Sequence, residues 1–345
     1  MSQKRIDVHH HLIPPAYLNE LDRLGIKDSG GKALPKWSPK DSIDVMDAND
    51  IQLAILSLST PGIYFGNRAE TEKLARSCNE YAKAVCDRHP SRFGFFAVLP
   101  VPFTEAATKE AIYALDHLGA QGVILLANTD GKYLGQPEFE ELMTELNKRS
   151  AVVFVHPNTP PDTDKLGLNE PAFLIEFLCD TTRAAVNLIL KGVMERHSNI
   201  KWILAHSGGF LPYAAWRIAL ANGMPEFIRH VPHGVMHYIK QFYFDTALSP
   251  SPYSLASLKE LVDPSHILFG SDFPFAPAAL VNVETKTLDQ STVFERATNN
   301  QFRNANALAL FPELKNRADF NADTGKDLSI WQRATGGLVQ RIISR

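Results

Sequence analysis

Short runs rich in Val, Ile, Leu and Phe recur along the chain, and each is followed by a longer stretch with apolar residues every three or four positions. The runs fall at 5–9, 51–58, 93–99, 121–127, 151–156, 200–206, 241–247 and 265–271. Their near-continuous hydrophobicity fits parallel strands covered on both faces. Helical stretches lie near 41–49, 69–89, 104–118, 137–149, 171–197, 210–229, 252–262 and 291–310. Ser38-Pro39, Thr104-Glu105 and Gln136-Pro137 mark helix starts. Eight strand–helix units in succession predict an α/β chain folded as a (β/α)8 TIM barrel. The competing architecture, a doubly wound open sheet, ordinarily carries a glycine-rich turn after its first strand. Here that turn reads His9-His10-His11-Leu12-Ile13-Pro14-Pro15.

The repeat assigns residues 1–312 to the barrel and leaves two segments outside the pattern. Residues 12–40 contain Pro14, Pro15, Gly30, Gly31 and Pro35. They read as a loop-like insertion after the first strand, suited to act as a lid over the barrel mouth. Residues 313–345 form a more polar C-terminal extension with a weak helical pattern from Leu328 to Ile343. Its packing is left open.

Composition acts mainly by exclusion. Hydrophobic residues at 45% and charged residues at 21% of 345 positions are enough for a substantial core. A net charge of −3 with dispersed Lys and Arg argues against nucleic acid or an anionic membrane as partner. No run approaches the roughly 18 apolar residues of a membrane span, and the segment from Met1 to Asp7 has no apolar leader. Cys78, Cys86 and Cys179 are odd in number and far apart, which argues for a reducing compartment rather than a disulfide framework. A cytoplasmic protein is expected.

Candidate chemistry gathers at the ends of the strands, where a barrel of this kind keeps its active site. The first run ends in His9-x-His11, and alternate residues of a strand point the same way, so both imidazoles aim at one point while His10 turns aside. The fifth run ends in His156-Pro157, the sixth in His206-Ser-Gly-Gly and the eighth in Ser-Asp272-Phe-Pro. Imidazole and carboxylate at four strand ends are the donor types of a transition-metal site. His89, His117, His197 and His266 fall at helix ends or loops and read as surface or capping groups. His230, His233 and His237 cluster before the seventh run, and their i, i+4 pair fits a solvent-facing loop better than a metal site.

Taken in order, D-x-H-x-H, a histidine after strand five, H-x-G-G after strand six and S-D-x-P after strand eight resemble the amidohydrolase superfamily. Within it the chain is similar to the aminocarboxymuconate-semialdehyde decarboxylase family, from Ile6 to about Phe311, and closest to its 6-methylsalicylate and hydroxybenzoate decarboxylases. The resemblance implies one divalent metal, zinc with manganese as the alternative, held by His9, His11, His156 and Asp272. It makes His206 and Asp272 the catalytic pair, one delivering a proton to the ring carbon and the other relaying it or binding substrate, in either assignment. Binuclear members use a lysine on strand four, and the run 121–128 has none, which fits a single ion. The implied reaction is non-oxidative loss of CO2 from a small ortho-hydroxy aromatic acid after protonation of the ring carbon.

A departure from the family pattern narrows the substrate. The aminocarboxymuconate enzymes carry arginines for substrate carboxylate in the segment matching Trp37 to Met46, yet no arginine stands between Arg23 and Arg68. A dicarboxylate would lack its bidentate partner. Arg217, eleven residues after His206, matches an arginine that enters the neighbouring subunit's site in the family, which implies a homodimer. Tyr64, Phe65, Phe177 and Phe275 are the substrate-binding candidates, since aromatic walls suit a small aromatic carboxylate. Two other readings stay open. One is a mononuclear metal-dependent hydrolase of a lactone or cyclic amide, with Asp272 as base. The other is a metal-binding barrel without activity.

Overall fold

The computed structural model describes residues 4–318 apart from 162 and 167–169, together with residues 320, 337, 339 and 343. Eight parallel strands form one sheet: β1 Arg5–His11, β2 Ile51–Ser57, β3 Phe93–Val98, β4 Gly122–Leu126, β5 Val152–His156, β6 Lys201–Leu204, β7 Tyr243–Asp245 and β8 Ile267–Leu268. Each pairs with the next in chain order. The last strand returns to the first, because the Val8 amide donates to Phe269 O at 3.0 Å and the His11 amide to Phe273 O at 2.7 Å. The sheet thus curls into the expected barrel. The strands are buried on both faces, which is why their sequences run nearly unbroken in apolar residues rather than alternating.

The main helices, eight between strands and α9 after the last, are α1 Pro15–Leu24, α2 Pro39–Ala48, α3 Arg68–Arg88, α4 Thr104–Asp116, α5 Glu140–Lys148, α6 Glu176–Leu190, α7 Leu211–Ile218, α8 Pro252–Leu261 and α9 Ala278–Gln290. At α2 the signal is as read: Ser38 accepts the Asp41 amide and Pro39 opens the first turn. At α4 it is not. Thr104 is the first helical residue and its hydroxyl donates to Glu138 O, so the cap position falls to Phe103.

Two larger corrections concern helices. The 12–40 insertion is not loop-like throughout, since α1 fills Pro15–Leu24 with Tyr17 and Leu21 buried. Pro14-Pro15 looked like a breaker, but proline at the first helical position costs no hydrogen bond. The two-stranded hairpin Asp28–Ser29 with Lys32–Ala33 follows. The last barrel helix is α9, not 291–310, which breaks into Arg296–Asn300, a π turn and Asn306–Leu310. α9 was hidden because its buried side includes Asn282, Glu284 and Thr285. Most of the 313–345 extension lies outside the described residues; within them, Pro312–Asn316 makes a short helix and Phe320 O accepts the Lys4 amide.

Candidate metal centre and active site

The strand-end residues meet at the C-terminal mouth of the barrel. One ligand atom from each of His9, His11, His156 and Asp272 lies within 4.8 Å of every other, and all four residues are buried. His9 Nε2 stands 3.0 Å from His11 Nε2 and 3.2 Å from Asp272 Oδ1, and His11 Nε2 is 3.0 Å from the same oxygen. The outer nitrogens decide what these rings offer. His9 Nδ1 faces Asp245 Oδ2 at 2.8 Å, His11 Nδ1 faces Ser57 O at 3.2 Å, and His156 Nδ1 faces Pro157 O at 2.8 Å. Asp245 and Pro157 O only accept, so His9 and His156 carry hydrogen on Nδ1 and as neutral rings present an Nε2 lone pair inward. His11 does the same when its Nδ1 donates to Ser57 O; the Ser57 hydroxyl, 3.0 Å from that nitrogen, can accept from it or donate to it. With all three rings neutral, three nitrogen lone pairs and a carboxylate oxygen converge, a donor set that fits a divalent cation.

The electrostatics agree. Burial, with the neighbouring imidazoles His11 and His9, pushes His156 well below the ordinary histidine range. His11 is lowered by burial and His9, with Asp272 opposing. His206 is lowered by burial and by His9. His9 is the exception: burial works downward, but Asp245 and Asp272 raise it to about 10. Burial also opposes the charge on Asp272, yet His9 and the bonds from His11 and His9 hold it well below the carboxylate range. The metal-free protein therefore keeps one proton among these ligands, on His9.

Close approach makes the cluster possible. A side chain at Gly270 would place its Cβ 2.7 Å from His9 Cβ, so only glycine lets the strand-eight end lie against β1 here. His206, Ser207, Leu248 and Asp272 all have left-handed φ between 53° and 56°. Such conformations cost about 1–3 kcal/mol each and persist where surrounding bonds impose them. His206 is held by its amide on Asp245 Oδ1 at 3.0 Å and its Nδ1 on Ala247 O at 3.2 Å. Its ring lies 4.9 Å from that of His9 and 5.7 Å from that of His156, centre to centre.

A cavity of about 300 Å³ opens over the cluster, lined by His156, His206 and Asp272. Phe173, Leu174, Phe177, Leu178, Phe275 and Leu280 make its apolar walls, and Ser29, Lys32, Ser59, Thr60 and Ser249 its polar points. Phe275 packs edge-on to His11 and Phe177 to His156. Tyr64 and Phe65 are not brought here; they line a second cavity of about 440 Å³ with Asn128, Asp130 and Asn158. Arg217 is also remote, exposed on α7 beside Tyr213 and Trp216, which are 88% and 77% exposed.

His10 turns aside as expected and is buried, with Nδ1 on Asp7 Oδ2 and Nε2 on Ser42 Oγ. Asp7 joins β1 to the strand-eight end by accepting the Ser271 amide and hydroxyl. His233 and His237 are exposed, and no third ligand joins them among the described residues. Asp245 was missed by sequence reasoning, although it stands at the end of the seventh apolar run like the residues that were found. Lys32 was missed because nothing local ties a lysine of the insertion to the strand ends.

A family model described as amidohydrolase matches residues 6–312. The chain belongs to the amidohydrolase family. Among curated relatives, a 6-methylsalicylic acid decarboxylase of Penicillium expansum is 38% identical over 322 residues, covering 91% of this chain and 98% of the relative. A solved structure named amidohydrolase II superposes with a TM-score of 0.84 at 33% identity, covering 90% of this chain and all of that one. A dihydroxybenzoic acid decarboxylase of Polaromonas, solved with manganese and 2-nitroresorcinol, gives a TM-score of 0.78 at 21% identity over 92% and 99% of the two chains. That last likeness concerns the fold.

Proposed function

We propose that this amidohydrolase-family member is a metal-dependent, non-oxidative decarboxylase of a small ortho-hydroxy aromatic acid resembling 6-methylsalicylate. One observation carries the reading: the cluster of His9, His11, His156 and Asp272 meets a small, aromatic-walled cavity through His156 and Asp272, with His206 beside them. The 38% identity to a 6-methylsalicylic acid decarboxylase supplies the substrate class. His9, His11, His156 and Asp272 would hold a divalent cation, which would supply positive charge for the acid's oxygens. Zinc suits three imidazoles and a carboxylate; manganese, present in the Polaromonas structure, is the alternative.

The side chains account for the proton. Direct loss of CO2 would leave an aryl carbanion, so the ring carbon bearing the carboxylate is protonated first. Asp272 is ionised in the free protein and accepts the ortho hydroxyl proton that the substrate brings. It then delivers that proton to the ring carbon, the bond to the carboxylate breaks, and CO2 leaves a phenolate. His206, its Nδ1–H donated to Ala247 O, turns the Nε2 lone pair to the cavity, takes a proton there from water and passes it to the phenolate. Phe177 and Phe275 hold the ring's faces and edges.

The enzyme is proposed to act as a homodimer in the cytoplasm. Support for the dimer is the exposed apolar face of Tyr213, Trp216 and Leu220 beside Arg217, from which Arg217 would reach a partner's site. Support for the compartment is three free thiols, two of them buried. No helix among the described residues is long and apolar enough to cross a membrane. The test is incubation with 6-methylsalicylate and measurement of CO2 and m-cresol. Both are expected in equal amounts; neither appearing while test lactones are opened would transfer the site to the hydrolase reading.

A further inference from the structure

Glu284 is a buried acid that the reaction above does not use. It sits on α9, 4% exposed, one turn beyond Leu280 of the cavity wall. Its Oε1 accepts the Leu248 amide at 2.7 Å, and its Oε2 has no hydrogen-bond partner among the described residues. Leu248 is itself unusual, a leucine at φ 53°. It belongs to the turn after β7, in which the Ala247 amide donates to Asp245 Oδ1 and the Ser249 amide to Thr246 O, both at 3.0 Å. Between these bonds stands Ala247 O, the acceptor for His206 Nδ1.

We propose that Glu284 is a positioning residue of the active site: by holding the Leu248 amide it fixes the Ala247 carbonyl, which sets the ring orientation and tautomer of His206. The role asks only for an accepting oxygen of the right reach, not for charge. The environment matches, since burial, with Asp272 and Asp7 adding negative charge nearby, pushes the Glu284 carboxyl well above its ordinary range. A neutral acid keeps one accepting oxygen, and so does glutamine. Aspartate, one methylene shorter, falls short of Leu248.

The inference rests on the proposed role of His206, and two measurements separate its failure from that of the decarboxylase reading. The first is kcat and KM of wild type, Glu284→Gln, Glu284→Asp and Glu284→Ala with 6-methylsalicylate. Glu284→Gln is expected within about twofold of wild type, while Glu284→Asp and Glu284→Ala lose about tenfold or more in kcat with KM within about twofold. The second is nitrogen NMR of protein labelled at histidine, in which Glu284→Asp loses the single Nδ1–H tautomer of His206. That arm decides the matter even if wild type leaves 6-methylsalicylate untouched. Wild-type kcat and an unchanged His206 tautomer in Glu284→Asp would overturn the proposal. So would a Glu284→Gln enzyme as impaired as Glu284→Asp, because the charge or the proton would then be what matters. If Glu284→Ala fails to fold, the Gln and Asp variants still decide.

Discussion

Substituting Asp245 by Asn tests the metal reading at a residue that is not itself one of the four inward ligands. Asp245 is fully buried; Oδ2 meets His9 Nδ1 at 2.8 Å, and Oδ1 accepts the His206 and Ala247 amides at 3.0 Å. Asparagine can keep its oxygen on the two amides, which turns its NH2 toward His9. His9 must then present its lone pair at Nδ1 and carry its hydrogen on Nε2, the nitrogen aimed at the ligand cluster. Losing a hydrogen bond to a charged group costs about 1.5–3 kcal/mol. Outer partners of metal-binding histidines are worth about 10–100-fold in affinity, the same range at about 1.4 kcal/mol per decade. Asp245→Asn is therefore expected to bind zinc roughly 30-fold more weakly. Because both amides keep an acceptor, its thermal midpoint without metal should move by only a few degrees. Competitive titration against a chromogenic chelator measures the affinity, and calorimetry the midpoint. Zinc affinity within threefold of wild type would refute the reasoning, for the Nδ1 partner would then not govern the ring.

Three further outcomes follow from charges and surfaces. His9 is raised from 6.5 to about 10 against the pull of burial, by Asp245 and Asp272. Its proton therefore stabilises the metal-free protein fully below pH 6.5, and that contribution is lost as pH rises through about 10. Zinc uptake at pH 8 should release about one proton, read with an indicator dye, and only the metal-free melting point should fall across that window. Glu140 is lowered to about 2 by its bond with Arg196, against burial, and by His197. Its contribution is present above pH 4.5 and lost as pH falls through about 2. With side chains 42–44% exposed in the Arg196 pair, the stabilisation is below about 1 kcal/mol. Melting of Glu140→Gln should differ from wild type by a constant amount between pH 7 and about 5, and the difference should shrink below pH 4.5. Trp216→Asp is expected to give monomers by sedimentation, and Arg217→Ala to lower kcat/KM about tenfold while remaining dimeric; a fully active monomer would remove the cross-subunit role.

How legible the site was depended on whether a residue's meaning is written in its own neighbourhood. His156 closes Val152–Val155 and His206 follows Trp202–Leu204, apolar stretches that read as buried strands, so a polar terminus stood out. Asp245 ended a strand in the same way, yet Gln241, Tyr243 and Thr246 around it blurred the contrast. Glu284 gave no signal, because an acid on a helix normally faces water and its burial depends on packing α9 over the strand-seven turn. Lys32 was invisible for a similar reason. The hairpin that carries it meets Phe275 only in three dimensions, where its amine donates to Phe275 O at 2.5 Å. The α1 and α9 helices were obscured by prolines and by polar residues on the buried side, both of which weaken the periodic signal without weakening the helix.

The charges around the cavity bear on substrate choice in a way the family pattern alone does not. Its volume of about 300 Å³ is at the small end for ligand sites, which suits a single ring. Among the described lining residues Lys32 is the one lysine or arginine, and its amine is already engaged with Phe275 O. A second carboxylate on the substrate would thus meet Phe173, Phe177, Leu178 or Leu280 rather than a cation. Burying an unpaired carboxylate against such walls costs several kcal/mol, more than one hydrogen bond from a serine returns. Arg217 does not change this within one subunit, since it lies exposed on α7 away from the cavity. A methyl or hydrogen at the same ring position meets the apolar wall at no electrostatic cost. The arginine missing between Arg23 and Arg68 and the apolar wall at the mouth therefore both favour the proposed substrate class over a dicarboxylate: a ring acid with one carboxylate.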